Sequence, residues 1–229
     1  MVIGNGLVAG SFSSYAEQQG FLVFASGVSN SKSSTEADFR READLLQRSI
    51  EQHPEKQLVY FSTTSVEDPD LYQAPYSQHK LQMEELIRTN AHAYTIFRLS
   101  NLAGRSDNPN TILNYFFQHI SQGIPFRLWK RSERNIIDTE DVFRIADYML
   151  QHKLAVNRTI NIANTESYPV QYIVSSIEDF CGIKGIYTLE ERGGQVIIDT
   201  HDIAPACKAL DIHFGAGYLQ KILTKYYGT

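Results

Sequence analysis

Tyr76 and Lys80 stand four residues apart in the run Tyr76-Ser77-Gln78-His79-Lys80. A helix there would carry both on one face. An ammonium beside a phenol stabilises the phenolate, so the pairing predicts a Tyr76 pKa lowered toward neutrality and a tyrosine able to exchange a proton. An exposed surface pair has the same spacing. Two further groups of residues add to the pair. Gly4-Asn5-Gly6-Leu7-Val8-Ala9 fits the pattern G-x-G-x-x-G/A where an apolar start meets a helix-like segment. Glycines let a backbone approach a pyrophosphate, and a helix N-terminus supplies N–H donors; a plain glycine-rich turn reads the same way. Ser62-Thr63-Thr64-Ser65 then follows the apolar run Leu58–Phe61. Hydroxyls placed there can orient a substrate oxygen or bond their own turn.

The elements that must position these groups alternate between strand and helix. Val2-Ile3 begins a first strand, and the pattern predicts a helix from the glycine loop to about Gln19. Gly20 to Ser29 contains a buried strand that ends in the small-residue turn Ala25-Ser26-Gly27. Thr35-x-x-Asp38 forms a capping-box pattern ahead of a helix whose apolar face is Phe39, Ala43, Leu46 and Ile50. Leu58–Phe61 is the next strand, and Asp68-Pro69-Asp70 with Ala74-Pro75 makes a tight loop. A helix runs from Tyr76 to about Thr89, with Leu81, Met83, Leu86 and Ile87 as packing residues. Tyr94–Leu99 is a strand ending in Ser100-Asn101, and Asn108–Thr111 caps another helix. Trp129 reads as a packing residue, with stacking on a sugar or base as the alternative, and Asp138 and Asp141 read as helix N-terminal caps. A last strand, Thr159–Ala163, precedes a helix from Val170 to Phe180. This order predicts an α/β fold with a parallel sheet of about five strands.

The chain has 229 residues, suited to a single domain, and 42% hydrophobic and 21% charged residues, as in an ordinary globular protein. The net charge of −5 argues against a general nucleic-acid binder and against an anionic membrane surface. No apolar run reaches the roughly 18 residues of a membrane span. Cys181 and Cys207 form no C-x-x-C pair, and His201 with Asp202 has no further ligands at useful spacing, so neither a disulfide framework nor a metal site is expected. Reduced cysteines and a start that passes from Met1 into the glycine loop fit a cytoplasmic protein.

Taken in order, the glycine loop, the hydroxyl cluster, Tyr76-x-x-x-Lys80 and Ser100-Asn101 resemble the extended short-chain dehydrogenase/reductase family of nucleotide-sugar epimerases, dehydratases and ketoreductases. The likeness extends from about residue 1 to about residue 215. It implies a Rossmann-like core over residues 1–104 and a small C-terminal substrate lobe over residues 105–229, with a return strand near 159–163. It implies a catalytic group of Thr63, Tyr76 and Lys80, the threonine being the residue three before Val66. It also implies NAD or NADP held by Gly4, Asn5, Gly6, Leu7, Val8, Ala25, Ser26, Gly27, Tyr76 and Lys80, with Ser26, Ser29 and Lys32 near a 2′-phosphate if the cofactor carries one. A nucleotide-sugar substrate would meet Thr64, Asn101, Arg134 and Arg192. Arg134 stands in Arg134-Asn135-Ile136-Ile137-Asp138, which resembles a family signature, and Arg192 in Glu190-Glu191-Arg192-Gly193-Gly194, which resembles a late arginine-glycine loop; Asn101 and Arg192 read equally as turn and surface-loop residues. The implied setting is cytoplasmic polysaccharide biosynthesis.

The departures carry their own implications. Ile3 stands where the family has its first loop glycine, and the segment ending at Ala25 resembles the family's fourth strand. The second and third family strands are therefore expected to be missing. That leaves the first strand at a sheet edge, open to a loop or a second protomer, and removes half of an adenosine pocket. Thr64 and Ser65 stand where family dehydratases have Asp and Glu, which speaks for reduction or epimerisation at a 4-keto sugar and against 4,6-dehydration. A non-catalytic shortened member that binds a nucleotide or a partner protein is the rival expectation.

Overall fold

The computed structural model describes residues 1–28, 35–195 and 197–228. Its elements in order are β1 (Val2–Ile3), α1 (Leu7–Ser11), β2 (Phe21–Phe24), α2 (Glu36–Gln52), β3 (Gln57–Thr63), α3 (Pro75–Asn90), β4 (Tyr94–Leu99), β5 (Asn101–Ala103), α4 (Ile112–Ser121), β6 (Phe126–Trp129), β7 (Glu133–Arg134), β8 (Ile136–Asp138), α5 (Thr139–Gln151), β9 (Arg158–Ile162), β10 (Tyr168–Pro169), α6 (Val170–Cys181), β11 (Tyr187–Glu190), α7 (Ala204–Leu210) and α8 (Tyr218–Tyr227).

Among the described residues the main sheet has five parallel strands in the order β1-β2-β3-β4-β9. The expected Rossmann-like sheet is therefore present, and β1 is its edge. Successive side chains of a strand point to opposite faces, and the sequence is apolar at both parities because helices cover both faces. Val23, Val59, Phe61, Phe97, Ile160 and Ile162 join Phe12 of the first connection and Val142, Ile145 and Met149 of α5. Leu22, Phe24, Leu58, Tyr60 and Ile96 pack on Leu46 and Ile50 of α2 and on Met83 and Ile87 of α3. A third apolar cluster lies apart from the sheet and joins Phe116 and Ile120 of α4, Leu128 of β6, Ile173 and Ile177 of α6, and Leu219 and Ile222 of α8. Among the described residues three two-stranded ribbons, β5-β8, β6-β11 and β7-β10, contribute Ala103, Phe126, Leu128, Ile136 and Tyr168 to this cluster.

Local chemistry explains most boundaries. Thr35 Oγ1 accepts the Asp38 N–H while Asp38 accepts the Thr35 N–H, so the capping box at α2 is complete. Pro75 occupies the first turn of α3, where its missing N–H costs nothing. Asp138 caps α5 by accepting the Glu140 N–H, whereas Asp141, one turn later, accepts the Tyr218 hydroxyl instead.

Two expectations are corrected. The helix after the glycine loop ends at Ser11 rather than near Gln19 and gives way to a 3-10 turn at Ser13–Tyr15. Trp129 is 42% exposed at the end of β6 rather than packed. No described helix is long and apolar enough to cross a membrane.

Candidate active site

Parallel strands end on one side of a sheet, and a ligand cleft belongs where their C-terminal ends meet the following turns. Here β1 to β4 deliver Gly4, Ala25, Ser62–Thr64 and Ser100 to that side. They border a cleft of about 630 Å³. Of the residues expected to hold a cofactor, Asn5, Gly6, Leu7, Val8, Ala25, Ser26, Gly27, Tyr76 and Lys80 line it, as do Thr63, Thr64 and Asn101. Gly4 does not line it but shapes its floor. Its φ is +131°, and a Cβ there would lie 2.3 Å from the Ala25 carbonyl oxygen, so the approach of β1 to β2 requires glycine. At Gly6 a Cβ would meet nothing within 4 Å, so the loop backbone is open to a ligand. Since α1 has only five residues, the loop's own N–H groups, rather than a long helix dipole, would meet an anion.

Tyr76 and Lys80 lie in the first two turns of α3, beside the hydroxyls that end β3. Thr63 Oγ1 accepts the Ser65 N–H and is 3.1 Å from Ser65 Oγ. Thr64 Oγ1 reaches the Leu99 carbonyl at 3.5 Å. Ser100 Oγ is buried and has no hydrogen-bond partner among the described residues. A buried hydroxyl left unpaired is costly, so an orphan facing a cleft marks a place for a ligand's polar atom.

Lys80 is placed differently from the expectation. It is almost fully buried, and its ammonium donates to Glu42 Oε1 at 2.9 Å and to the Tyr60 hydroxyl at 3.0 Å. It lies 5.8 Å from the Tyr76 ring centroid. Glu42 is wholly buried and also accepts the Tyr60 O–H at 2.6 Å and the Val28 N–H at 2.7 Å, while His79 Nε2 lies 3.0 Å from its second oxygen. Burial works against ionisation of Glu42, but Lys80 and the hydrogen bonds from His79, Tyr60 and Val28 outweigh it and hold its pKa at about 2. The Tyr76 phenol moves upward: burial raises it, Lys80 opposes, and Glu42 adds to the rise. The lowering that the sequence predicts is thus not met, because burial of the phenol outweighs the pull of the Lys80 ammonium.

Glu42 and Ser100 escape the sequence reading. Glu42 carries a visible signal, since it sits three residues after Phe39 and four before Leu46, on the buried face of α2. Ser100 carries none beyond its place after a strand. Arg41 also lines the cleft and is exposed.

Arg134 and Arg192 are not brought to Tyr76. Neither lines the cleft. Arg134 is partly buried on β7, donates to the Glu133 carbonyl, and feels Asp68 and Asp70 nearby; its burial moves its pKa down. Among the described residues it has no carboxylate partner within 4 Å. Arg192 is mostly exposed, 3.9 Å from the Glu190 carboxylate. The two belong to adjoining segments, since the Arg131 N–H donates to the Arg192 carbonyl and Gly193 packs against Ser132. Asn101 bridges this region to the cleft by donating to the Asn135 carbonyl at 2.8 Å. Ser29 and Lys32 lie outside the described residues. Among the described residues no group of three or more His, Cys, Asp or Glu side chains could hold a metal.

Comparison with solved structures gives the same architecture. The chain aligns with the UDP-glucose 4-epimerase of Thermus thermophilus in complex with NAD, at a TM-score of 0.70 and 13% identity, over 94% of this chain and 79% of that one. It aligns with the UDP-glucuronic acid 4-epimerase of Bacillus cereus in complex with UDP-glucuronic acid and NAD, at a TM-score of 0.73 and 18% identity, over 91% and 74%. It also aligns with the dTDP-glucose 4,6-dehydratase of Bacillus anthracis in complex with NAD, at a TM-score of 0.70 and 16% identity, over 98% and 79%. No curated protein matches the sequence. The model of the NAD dependent epimerase/dehydratase family matches residues 22–163, well over half of the chain, and the chain belongs to that family.

Proposed function

We propose that this protein is an NAD(P)-dependent oxidoreductase or epimerase acting on a nucleotide-linked sugar, by 4-keto reduction or epimerisation rather than 4,6-dehydration. One observation carries the reading: a single cleft is lined together by the glycine loop, the Ala25–Gly27 turn, Thr63, Tyr76 and Lys80. The orphan Ser100 hydroxyl and the open Gly6 backbone fit a nicotinamide cofactor with its pyrophosphate. Asn5 to Val8 would hold the pyrophosphate, and Ala25 to Gly27 would lie along the nicotinamide ribose. The cofactor, when bound, supplies hydride exchange with a sugar carbon.

The chain's own residues handle the oxygen on that carbon. Thr63 Oγ1 orients it and Tyr76 gives or takes its proton. Thr64 and Asn101 face the sugar side, and Arg134 and Arg192, on adjoining segments, meet the diphosphate with bidentate donors. Thr64 and Ser65 bring no carboxylate to the position where elimination would need one. The similar solved structures include both 4-epimerases and a 4,6-dehydratase, so the reading on this point rests on the residues rather than the fold.

Replacing Tyr76 with Phe tests the reading on a panel of UDP- and dTDP-linked sugars and 4-keto sugars with NAD(H) and NADP(H). The expected result is a fall in turnover of about 10²-fold or more with an unchanged circular dichroism spectrum. Undiminished turnover in that variant contradicts the mechanism. The second reading, a non-catalytic member that binds a nucleotide or a partner, is favoured by the position of β1 at the sheet edge. Absence of turnover across the whole panel, together with retained nucleotide binding, selects it.

A further inference from the structure

We propose that the loop after β5 supplies the adenosine side of the cofactor site: in a second cavity that has the glycine loop as a wall, Arg105 meets the pyrophosphate and Asp107 the adenosine ribose, so that the chain takes NAD(H) in preference to NADP(H). The inference rests on the oxidoreductase reading above and deepens it.

In a dinucleotide fold the carboxylate that binds the adenosine ribose stands on a strand beyond the first. Here, among the described residues, β1 is the sheet edge. The adenosine half of a dinucleotide therefore needs another surface. A second cavity, of about 720 Å³, offers one. Asn5, Gly6, Leu7 and Ser106 border both this cavity and the cleft. Tyr76, Lys80 and the Ala25–Gly27 turn border the cleft alone, whereas Gly10, Ser11, Arg105 and Asp107 border the second cavity alone. A dinucleotide with its nicotinamide beside Tyr76 and its pyrophosphate on the shared glycine loop leads its other half into that cavity. The wall is open to it, since a Cβ at Gly6 or at Gly10 would meet nothing within 4 Å.

The loop that carries the two charged residues is fixed at both ends. A Cβ at Gly104 would lie 2.7 Å from Thr139 Oγ1 and 2.9 Å from Leu7 Cδ1, so the start of the loop presses on the glycine loop itself. Asn114 of α4 donates to the Ser106 and Asn108 carbonyls, each at 2.8 Å. Arg105 and Asp107 are exposed, and among the described residues neither side chain has a hydrogen-bonding or ion-pairing partner. Both are thus available to a ligand. The glycine loop offers N–H groups but no full charge, and the Lys80 ammonium is held by Glu42 at 2.9 Å. A guanidinium supplies the missing charge with donors shaped for phosphate oxygens. The Asp107 carboxylate accepts hydrogen bonds from a ribose diol and repels a phosphate placed on that ribose.

Calorimetric titration with ADP-ribose and with 2′-phospho-ADP-ribose tests the assignment without the nicotinamide, and UDP serves as the substrate-side probe. The expected result is that wild type binds ADP-ribose more tightly than its 2′-phosphate. Arg105→Gln should weaken both by about tenfold or more, with partial recovery in Arg105→Lys and no change for UDP. Asp107→Asn should narrow the difference between the two ligands. Because neither side chain has a partner to lose, circular dichroism and melting should stay as in wild type. Four results overturn the proposal: Arg105→Gln with unchanged ADP-ribose affinity, Asp107→Asn with unchanged preference, a wild type that prefers the 2′-phosphate, or an Arg105→Gln loss for UDP as large as that for ADP-ribose, which assigns the arginine to the substrate. NADH binding on the same samples separates the two readings. A wild type that binds neither NADH nor ADP-ribose overturns the oxidoreductase reading and this inference together. NADH binding that both variants leave unchanged overturns this inference alone.

Discussion

At the scale of single residues, the site is controlled by groups whose partners the sequence does not display. Tyr76, Lys80 and Thr63 are legible from spacing and order, and the structure gathers them in one cleft. Glu42 is hidden because a Glu within the charged run Arg40-Arg41-Glu42 reads as a solvated face, although its place between Phe39 and Leu46 points it inward. Its burial makes two outcomes testable. Glu42→Ala leaves Lys80 buried without a counter-charge, so chemical denaturation should show a loss of about 3–5 kcal/mol. The pH dependence follows from a carboxyl held at about 2 against an ordinary value of 4.5. A depressed folded-state pKa gives stabilisation that is complete above 4.5 and is lost as pH falls toward about 2. Over that window the wild type should lose more stability than Glu42→Gln, as followed by thermal melting; parallel curves would remove Glu42 from the account. Ser100 gives a second contrast. Its hydroxyl is buried and unpaired among the described residues, so Ser100→Ala should leave the melting temperature equal or higher while weakening ligand binding by about 0.5–1.5 kcal/mol. A destabilised Ser100→Ala with full affinity contradicts a ligand-facing role.

At the scale of elements, the long periodic segments are legible and the special turns are not. Tyr94–Leu99 is a strand with the bounds the sequence implies, and the Thr35–Asp38 box opens α2 as its pattern implies. Both rest on local rules, apolar alternation and capping, that act within a few residues. The helix after the glycine loop is shorter than its pattern implies because Phe12 and Tyr15, which mimic a helical face, do other work. They are fully buried beneath the sheet, where a tilted pair of Phe12 with Phe61 and an edge-on pair of Tyr15 with Phe21 accompany the change from regular helix to a 3-10 turn. The junction at Gly4 is where one residue decides the element. Its positive φ and the Ala25 carbonyl 2.3 Å from a would-be Cβ leave no room for a side chain. Gly4→Ala should cost about 1–3 kcal/mol and reduce nicotinamide affinity at the same time, because β1 and the loop move together. Stability and affinity both equal to wild type would show that this approach is not needed.

At the scale of the molecule, the strand order β1-β2-β3-β4-β9 explains both what the sequence reveals and what it does not. Alternating helices and strands identify an α/β sheet, and the run from Ala25 directly into a helix and then into β3 implies that two strands usual in the family are missing. The third apolar cluster, built by α4, α6 and α8 with β6, is legible only as a region of separate helices, because it gathers residues from Leu113 to Leu223, and the hydrogen bonds beside it join residues 80 and 88 positions apart. Arg134 and Arg192 show the limit of motif reading: each stands in its expected motif, yet they sit on adjoining segments outside the cleft, and their reach to a diphosphate depends on the ligand spanning that gap. The account's central claim is that the cleft beside Tyr76 still holds a nicotinamide cofactor although β1 forms the sheet edge. Calorimetric titration of the purified protein with NADH and NADPH tests it most directly. The account predicts binding of one or both in the micromolar range usual for such sites, weakened by Gly4→Ala. A folded protein that binds neither would contradict it.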